Sequence, residues 1–258
     1  MLHHSLPYRF EEFSLHVTDH CNYNCKNCMH FSPYLSPKEY SASDYFEAID
    51  SMIPKLSACP KITLTGGEPF LHSNLPQFVS EMKERYSGYR IALVTNAYWL
   101  RSHEDVNKYK PMLQLLSNLF VSAYKKVNIN LINEIRKIQR IDGGPLPVKV
   151  NKRTSFFRVG FNEKSQYPVL PSGCKRNGKC QYITCPQLLA NGKLMKCVMG
   201  YAFASSYETP LVDIENSTQT FYDTINPSED LEIWRERYPF DLCYYCCLKS
   251  RTAHSFLK

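Results

Sequence analysis

Residues 13–28 read Phe-Ser-Leu-His-Val-Thr-Asp-His-Cys-Asn-Tyr-Asn-Cys-Lys-Asn-Cys, a strand-like alternation that runs straight into three cysteines. Phe13, Leu15 and Val17 fall on one face of the first six residues and Ser14, His16 and Thr18 on the other, which is the period of a pleated strand. The same layout returns twice downstream. Residues 61–65, Lys-Ile-Thr-Leu-Thr, read as a strand that ends in Gly66-Gly67-Glu68-Pro69, and residues 89–95 as a strand that ends at Asn96. Between them lie helical stretches, 41–56 with Tyr45, Ile49, Met52, Ile53 and Leu56 on one stripe, and 75–86. Farther on, 106–116 reads as a helix despite Pro111, 119–124 as a strand, 130–141 as a helix and 147–150 as a short strand. Strand–helix alternation of this kind predicts a parallel sheet, open or closed into a barrel, whose chemistry gathers at the carboxyl ends of its strands. The loop after Thr18, the Gly66-Gly67-Glu68 turn and Thr95-Asn96 therefore share one rim.

Composition narrows the class further. A chain of 258 residues, 43% hydrophobic and 21% charged, can bury a sizeable core as one large domain or as one domain with a small appendage. Ten glycines and 16 prolines exclude a collagen-like or low-complexity chain. No apolar run approaches the roughly 18 residues of a membrane span. The first residues lack the basic and apolar regions of a secretory signal, so a cytoplasmic location without a membrane partner is expected. The net charge of +7 is scattered, its nearest clusters being Lys125-Lys126, Lys149-Lys152-Arg153 and Lys175-Arg176-Lys179. That pattern suits a solvated surface or a small anionic ligand, and no nucleic-acid partner is expected.

The 11 cysteines fall into groups: Cys21, Cys25 and Cys28; Cys59 alone; Cys174, Cys180, Cys185 and Cys197; and Cys243, Cys246 and Cys247. An odd count without an export signal points to metal binding or redox chemistry rather than disulfides. Three thiolates spaced as Cys21-x3-Cys25-x2-Cys28 suit three irons of a [4Fe–4S] cluster, leaving the fourth iron open to an outside ligand. The alternative is a closed zinc site completed by His30.

Taken together, Cys21-x3-Cys25-x2-Cys28, Gly66-Gly67-Glu68-Pro69 and Thr95-Asn96, in this order and each after a strand, resemble the radical S-adenosylmethionine (SAM) superfamily over residues 10–155. The resemblance implies a partial (β/α)6 TIM-like barrel in an α/β fold. It implies a site-differentiated [4Fe–4S] cluster held by Cys21, Cys25 and Cys28, and SAM cleaved there to methionine and a 5′-deoxyadenosyl radical. Gly66 and Gly67 would let the backbone approach the SAM amino group, with Glu68 as an anionic neighbour. Asn96 and Ser122, at strand ends, are candidates for the ribose hydroxyls or the carboxylate. Two positions depart from the family pattern: Asn27 stands where an aromatic residue is frequent, and Ala97 where glycine follows Thr-Asn.

Residues 156–258 read as a separate cysteine-rich region. Residues 188–194 suggest a hairpin turning at Asn191-Gly192, and 228–237 a helix capped by Ser228. The region resembles the superfamily's auxiliary-cluster modules, SPASM and the shorter Twitch form, with Twitch fitting the cysteine count better. That resemblance implies a second [4Fe–4S] cluster held by Cys197, Cys243 and Cys246, with Cys180 and Cys185 competing for the fourth place. Cys59 reads as a small buried hydrophobe. Cys174 and Cys247 read as spare ligands or as hydrogen-atom donors to a substrate radical, and Cys247 is the candidate donor in the site.

The resulting expectation is a radical SAM oxidoreductase or epimerase acting on a small polar substrate such as a carbohydrate or aminocyclitol natural product. Flavodoxin or ferredoxin would supply its electrons. Modification of a ribosomal peptide is the runner-up. An enzyme that activates a glycyl radical in a partner protein, and a zinc-stabilised module without chemistry, complete the alternatives.

Overall fold

A computed structural model describes residues 10–25, 28, 30, 32–152, 155–157, 187–188, 190, 194–195, 224–225 and 251–253. The chain opens with β1 (Phe10–Thr18), followed by α1 (Ser43–Met52), β2 (Leu56–Gly66), α2 (Leu75–Arg85), β3 (Arg90–Thr95), α3 (His103–Gln114), β4 (Asn118–Ala123), α4 (Ile129–Arg136) and β5 (Val148–Lys152). Short strands β6 (Ser155–Phe157), β7 (Gln187–Leu188), β8 (Leu194–Met195), β9 (Thr224–Ile225) and β10 (Arg251–Ala253) complete the described elements. The main sheet has the order β5-β4-β3-β2-β1-β7-β8-β9, while β6 and β10 pair apart from it. From β5 to β7 every pairing is parallel, and β8 and β9 are antiparallel.

The partial barrel expected from the sequence is thus an open α/β sheet of six parallel strands. Its sixth parallel strand, β7, lies along β1 rather than beside β5. Residues after 155 therefore contribute strands to the main sheet. Gln187 pairs with Met195 and Leu188 with Leu194, as a hairpin around residues 191–192 requires.

Register explains the core. Leu188, Leu15, Leu64, Leu93, Leu119 and Val148 stand opposite one another in a single row across all six parallel strands. Paired residues share a face, and the helices cover this one: Phe13, Ile62, Ile91 and Val121 join it in a core with Tyr45, Ile49, Met82, Leu113 and Ile132. The opposite face carries Ser14, His16, Thr18, Thr63, Thr65, Ser122, Asn151 and Gln187 by the same alternation. One face of the sheet is greasy and the other is built for hydrogen bonds.

Several expected boundaries move, each for a local reason. The first helix stops at Met52, and Ile53–Lys55 forms a 3-10 turn with Pro54 in its first positions, so Ile53 is 46% exposed instead of packed. Leu56 already belongs to β2, where the register jumps from Phe10↔Leu56 to Glu12↔Lys61 and loops out the residues between. Cys59 lies in that bulge and is exposed, correcting the expectation of a buried thiol. Likewise α4 ends at Arg136, and Ile141 is 58% exposed in a turn that leads into Gly143 and Gly144, both at positive φ. The third helix begins at His103 behind a capping box between Ser102 and Asp105, a signal that residues 102–105 carry in the sequence. The expected helix at 228–237 lies outside the described residues.

Leu64 sits at the centre of the cross-strand row with no exposure. Truncation in Leu64→Ala is expected to lower unfolding stability by about 2–5 kcal/mol, read from urea denaturation of the metal-free chain.

Candidate active site

The three segments that end on one rim are locked together by backbone. The Gly67 N–H donates to the Thr18 carbonyl at 2.7 Å and the Glu68 N–H to the His20 carbonyl at 2.8 Å. Such close approach forbids side chains. A Cβ on Gly66 would lie 2.2 Å from the Thr18 oxygen, and one on Gly67 would lie 2.1 Å from the His20 oxygen. Gly66 also adopts φ +134°, a conformation that only glycine takes without strain. The glycines expected to admit a ligand thus have a nearer partner: the segment that leads from β1 into Cys21.

Glu68 is completely buried. Its Oε1 accepts from the Thr95 hydroxyl at 2.6 Å and the Phe70 N–H at 3.2 Å, and its Oε2 accepts from the Asn96 N–H at 2.6 Å. Three donors favour the carboxylate, yet burial outweighs them and pushes its pKa up to about 7. Asn96 then reaches back. Its side-chain N–H2 donates to Asn22 Oδ1 at 2.9 Å and lies 4.0 Å from Cys21 Sγ, while its Oδ1 accepts from the Tyr98 N–H. Ala97, the departure from glycine, takes φ +60°, which costs an L-residue about 1–2 kcal/mol. Its N–H is held by the Thr95 hydroxyl at 3.0 Å.

Within the cysteine loop, Cys25 is buried and Cys21 and Cys28 half-buried. The Cys28 N–H bonds the Cys25 carbonyl at 3.2 Å, and the Tyr23 N–H points at Cys21 Sγ at 3.4 Å. Burial, reinforced by Cys28 and Glu68, pushes the Cys21 thiol up to about 11, and burial with Cys28 and Cys21 pushes Cys25 up to about 12. Thiols this close in a dry loop repel one another as thiolates, so a cation is what would let them ionise. Soft sulfur donors on one loop, one already receiving an N–H, fit the iron–sulfur cluster that the spacing implies. Among the described residues, no three His, Cys, Asp or Glu side chains are gathered around a single-ion site. Tyr23, between the first two cysteines, packs edge-on against Tyr124 and lies under the Lys125 ammonium at 5.2 Å. Ser122 is buried on β4 opposite Asn151, on the polar face of the sheet.

The structure thus brings Cys21, Cys25, Cys28, Gly66, Gly67, Glu68 and Asn96 into one connected rim, with Ser122 farther along the sheet. Asn27, Cys174, Cys180, Cys185, Cys197, Cys243, Cys246 and Cys247 lie outside the described residues. Sequence reasoning missed His16, Asp19 and Tyr40, which form a buried polar chain beneath the loop. The alternation of β1 puts His16 on the polar face, but no local pattern singles out Asp19 or Tyr40.

Comparison with known proteins agrees with this geometry. Residues 15–131 match the radical SAM superfamily. GTP 3′,8-cyclase from Campylobacter lari is 28% identical over 155 residues, covering 57% of this chain and 43% of the relative. The enzyme of that name from Staphylococcus haemolyticus is 26% identical over 190 residues, covering 67% of this chain and 53% of the relative. The chain therefore spans about half the length of these curated relatives. In fold, it resembles BtrN, solved with AdoMet and 2-DOIA, at a TM-score of 0.55 and 13% identity, covering 93% of this chain and 94% of that one. The likeness to BtrN shows a shared fold, and the match over residues 15–131 supports a radical SAM core there, a family that implies a [4Fe–4S] cluster and SAM.

Two outcomes test this geometry. Gly67→Ala, with backbone 2.1 Å from its Cβ, should leave the chain unable to fold or cost more than about 3 kcal/mol, whereas the exposed Gly88→Ala should not. Glu68 binds its proton more tightly folded (about 7) than unfolded (4.5), so its contribution is complete below pH 4.5 and is lost as pH rises to about 7. The stability advantage of the metal-free wild type over Glu68→Gln should shrink across that window in denaturation at stepped pH.

Proposed function

We propose, on the premise of a radical SAM core at residues 15–131, that this chain abstracts a hydrogen atom from a small polar substrate. The observation that carries the reading is the shared backbone lock by which the Gly66-Gly67-Glu68 turn holds the cysteine loop, with Asn96 bridging both. When bound, the cluster and SAM together supply a one-electron reductive cleavage that yields methionine and a 5′-deoxyadenosyl radical.

The chain's own residues do the rest. Cys21, Cys25 and Cys28 hold three irons and leave one for SAM. The Tyr23 N–H steadies the Cys21 sulfur. Glu68, engaged by Thr95 and Asn96, keeps the ends of β2 and β3 in place. The polar face with Thr65, Ser122 and Asn151 is suited to hydroxyl groups, which favours a carbohydrate or aminocyclitol that is oxidised or epimerised.

Residues 156–258 are read as the auxiliary-cluster region, with Cys197, Cys243 and Cys246 as ligands and Cys247 as the candidate hydrogen donor. Cys180 and Cys185 compete for the fourth place. A purine nucleotide is the second reading for the substrate, favoured by the relatives named GTP 3′,8-cyclase.

The expected result is reductant-dependent formation of 5′-deoxyadenosine by the anaerobically reconstituted chain, abolished in Cys25→Ala. Iron should fall from about eight per chain to about four in the Cys21/Cys25/Cys28→Ala triple variant. Deuterium from a labelled aminocyclitol, but not from labelled GTP, should enter 5′-deoxyadenosine. The converse labelling would move the reading to the nucleotide, and no iron uptake would end it.

A further inference from the structure

Beneath the cysteine loop runs a chain of buried polar groups that the proposed chemistry does not use. At its base the Asn74 N–H donates to His72 Nδ1 at 3.0 Å, which leaves the ring proton on Nε2 to meet the Tyr40 carbonyl at 2.8 Å. Tyr40 is further held by its own N–H on the Val17 carbonyl. Its hydroxyl donates to Asp19 Oδ2 at 2.9 Å. The other oxygen, Asp19 Oδ1, faces His16 Nδ1 at 3.4 Å, and His16 Nε2 meets His30 Nδ1 at 2.9 Å. His16, Asp19 and Tyr40 are all at least 95% buried.

Donor and acceptor roles follow by elimination. An ionised carboxylate only accepts, so a neutral His16 facing it carries its proton on Nδ1 and offers a lone pair at Nε2. The short contact then requires His30 to donate from Nδ1, leaving Nε2 as its lone-pair nitrogen. His30 stands two positions after Cys28, so the chain fixes the exit of the cysteine loop to β1 and, through Tyr40 and His72, to the start of α2. Buried polar groups cost stability unless paired, so the row favours an arrangement in which each donor meets an acceptor.

We infer that Tyr40, Asp19 and His16 are positioning residues that lock the His30 ring and so pre-place Cys28 for the cluster. The inference rests on reading Cys21, Cys25 and Cys28 as cluster ligands. Outer partners of metal ligands act in this way, and their loss typically weakens metal retention by about 10–100-fold.

The test uses the full chain, anaerobically reconstituted, with iron stripped by a ferrous chelator. His16→Phe, which keeps bulk and removes both nitrogens, should lose iron about tenfold faster than wild type. His16→Asn, which can still donate to Asp19, should recover part of that retention. Tyr40→Phe, lacking only a hydroxyl, should move the same way by a smaller factor, and it decides the matter if His16→Phe does not fold. Nitrogen-15 NMR of the metal-free wild type should show His30 protonated on Nδ1. Wild-type stripping rates in the folded variants would reduce the chain to packing, and an Nε2-protonated His30 would overturn the relay by itself. If the wild type takes up no iron, the cluster reading falls, and the His30 tautomer still decides whether the relay exists.

Discussion

Two carbonyl oxygens, those of Thr18 and His20, govern the geometry of this protein. They accept the Gly67 and Glu68 N–H groups, and in doing so they weld the exit of β1 to the end of β2 at a separation that tolerates no side chain. The cysteine loop begins at the next residue after this weld. Whatever Cys21, Cys25 and Cys28 hold is thereby referenced to the most buried part of the sheet rather than to a floating loop. That rigidity matters because a loop anchored only by its ligands would have to be ordered by the metal itself.

Glu68 extends the same logic to the third strand. A buried carboxyl group is costly, and three donors from Thr95, Asn96 and Phe70 offset part of that cost. The result is a network in which β2, β3 and the cysteine loop are mutually dependent: Asn96 donates its backbone N–H to Glu68 and its side chain to Asn22. Strain is tolerated at Ala97 because both flanking side chains, Thr95 and Asn96, close the turn around it. A second polar row joins Tyr40, Asp19 and His16 to His30, two residues after Cys28.

The two faces of the sheet divide the labour. A leucine-rich row crossing six parallel strands supplies the burial that holds the fold. The opposite face carries Thr65, Ser122 and Asn151. A parallel sheet normally reads as continuously apolar because both its faces are covered. The polar residues on one face of β1 are a departure from that pattern.

Much of this was legible in the sequence because it is local. Alternation at residues 13–18, helical stripes at 41–56 and 75–86, and cysteines spaced three and two apart are short-range patterns set by backbone periodicity, and they identified the elements, the parallel sheet and the ligand loop. Helix ends near Pro54 and before the glycines after α4 were misjudged by a turn because local backbone constraints stopped each helix before its apolar stripe ended. Cys59 was misread because a bulge depends on the register between two strands, which neither strand records alone. The same limit hid the reason for the glycines: Gly66 and Gly67 announce a close approach, but only the folded chain shows that Thr18 and His20 are what approaches. Likewise a histidine at 16, an aspartate at 19 and a tyrosine at 40 are unremarkable until the fold sets them within hydrogen-bonding distance. Sequence determined which residues stand at the strand ends and in the cysteine loop; the tertiary structure decided which of them touch, because contacts between distant residues depend on register and packing that no local pattern encodes.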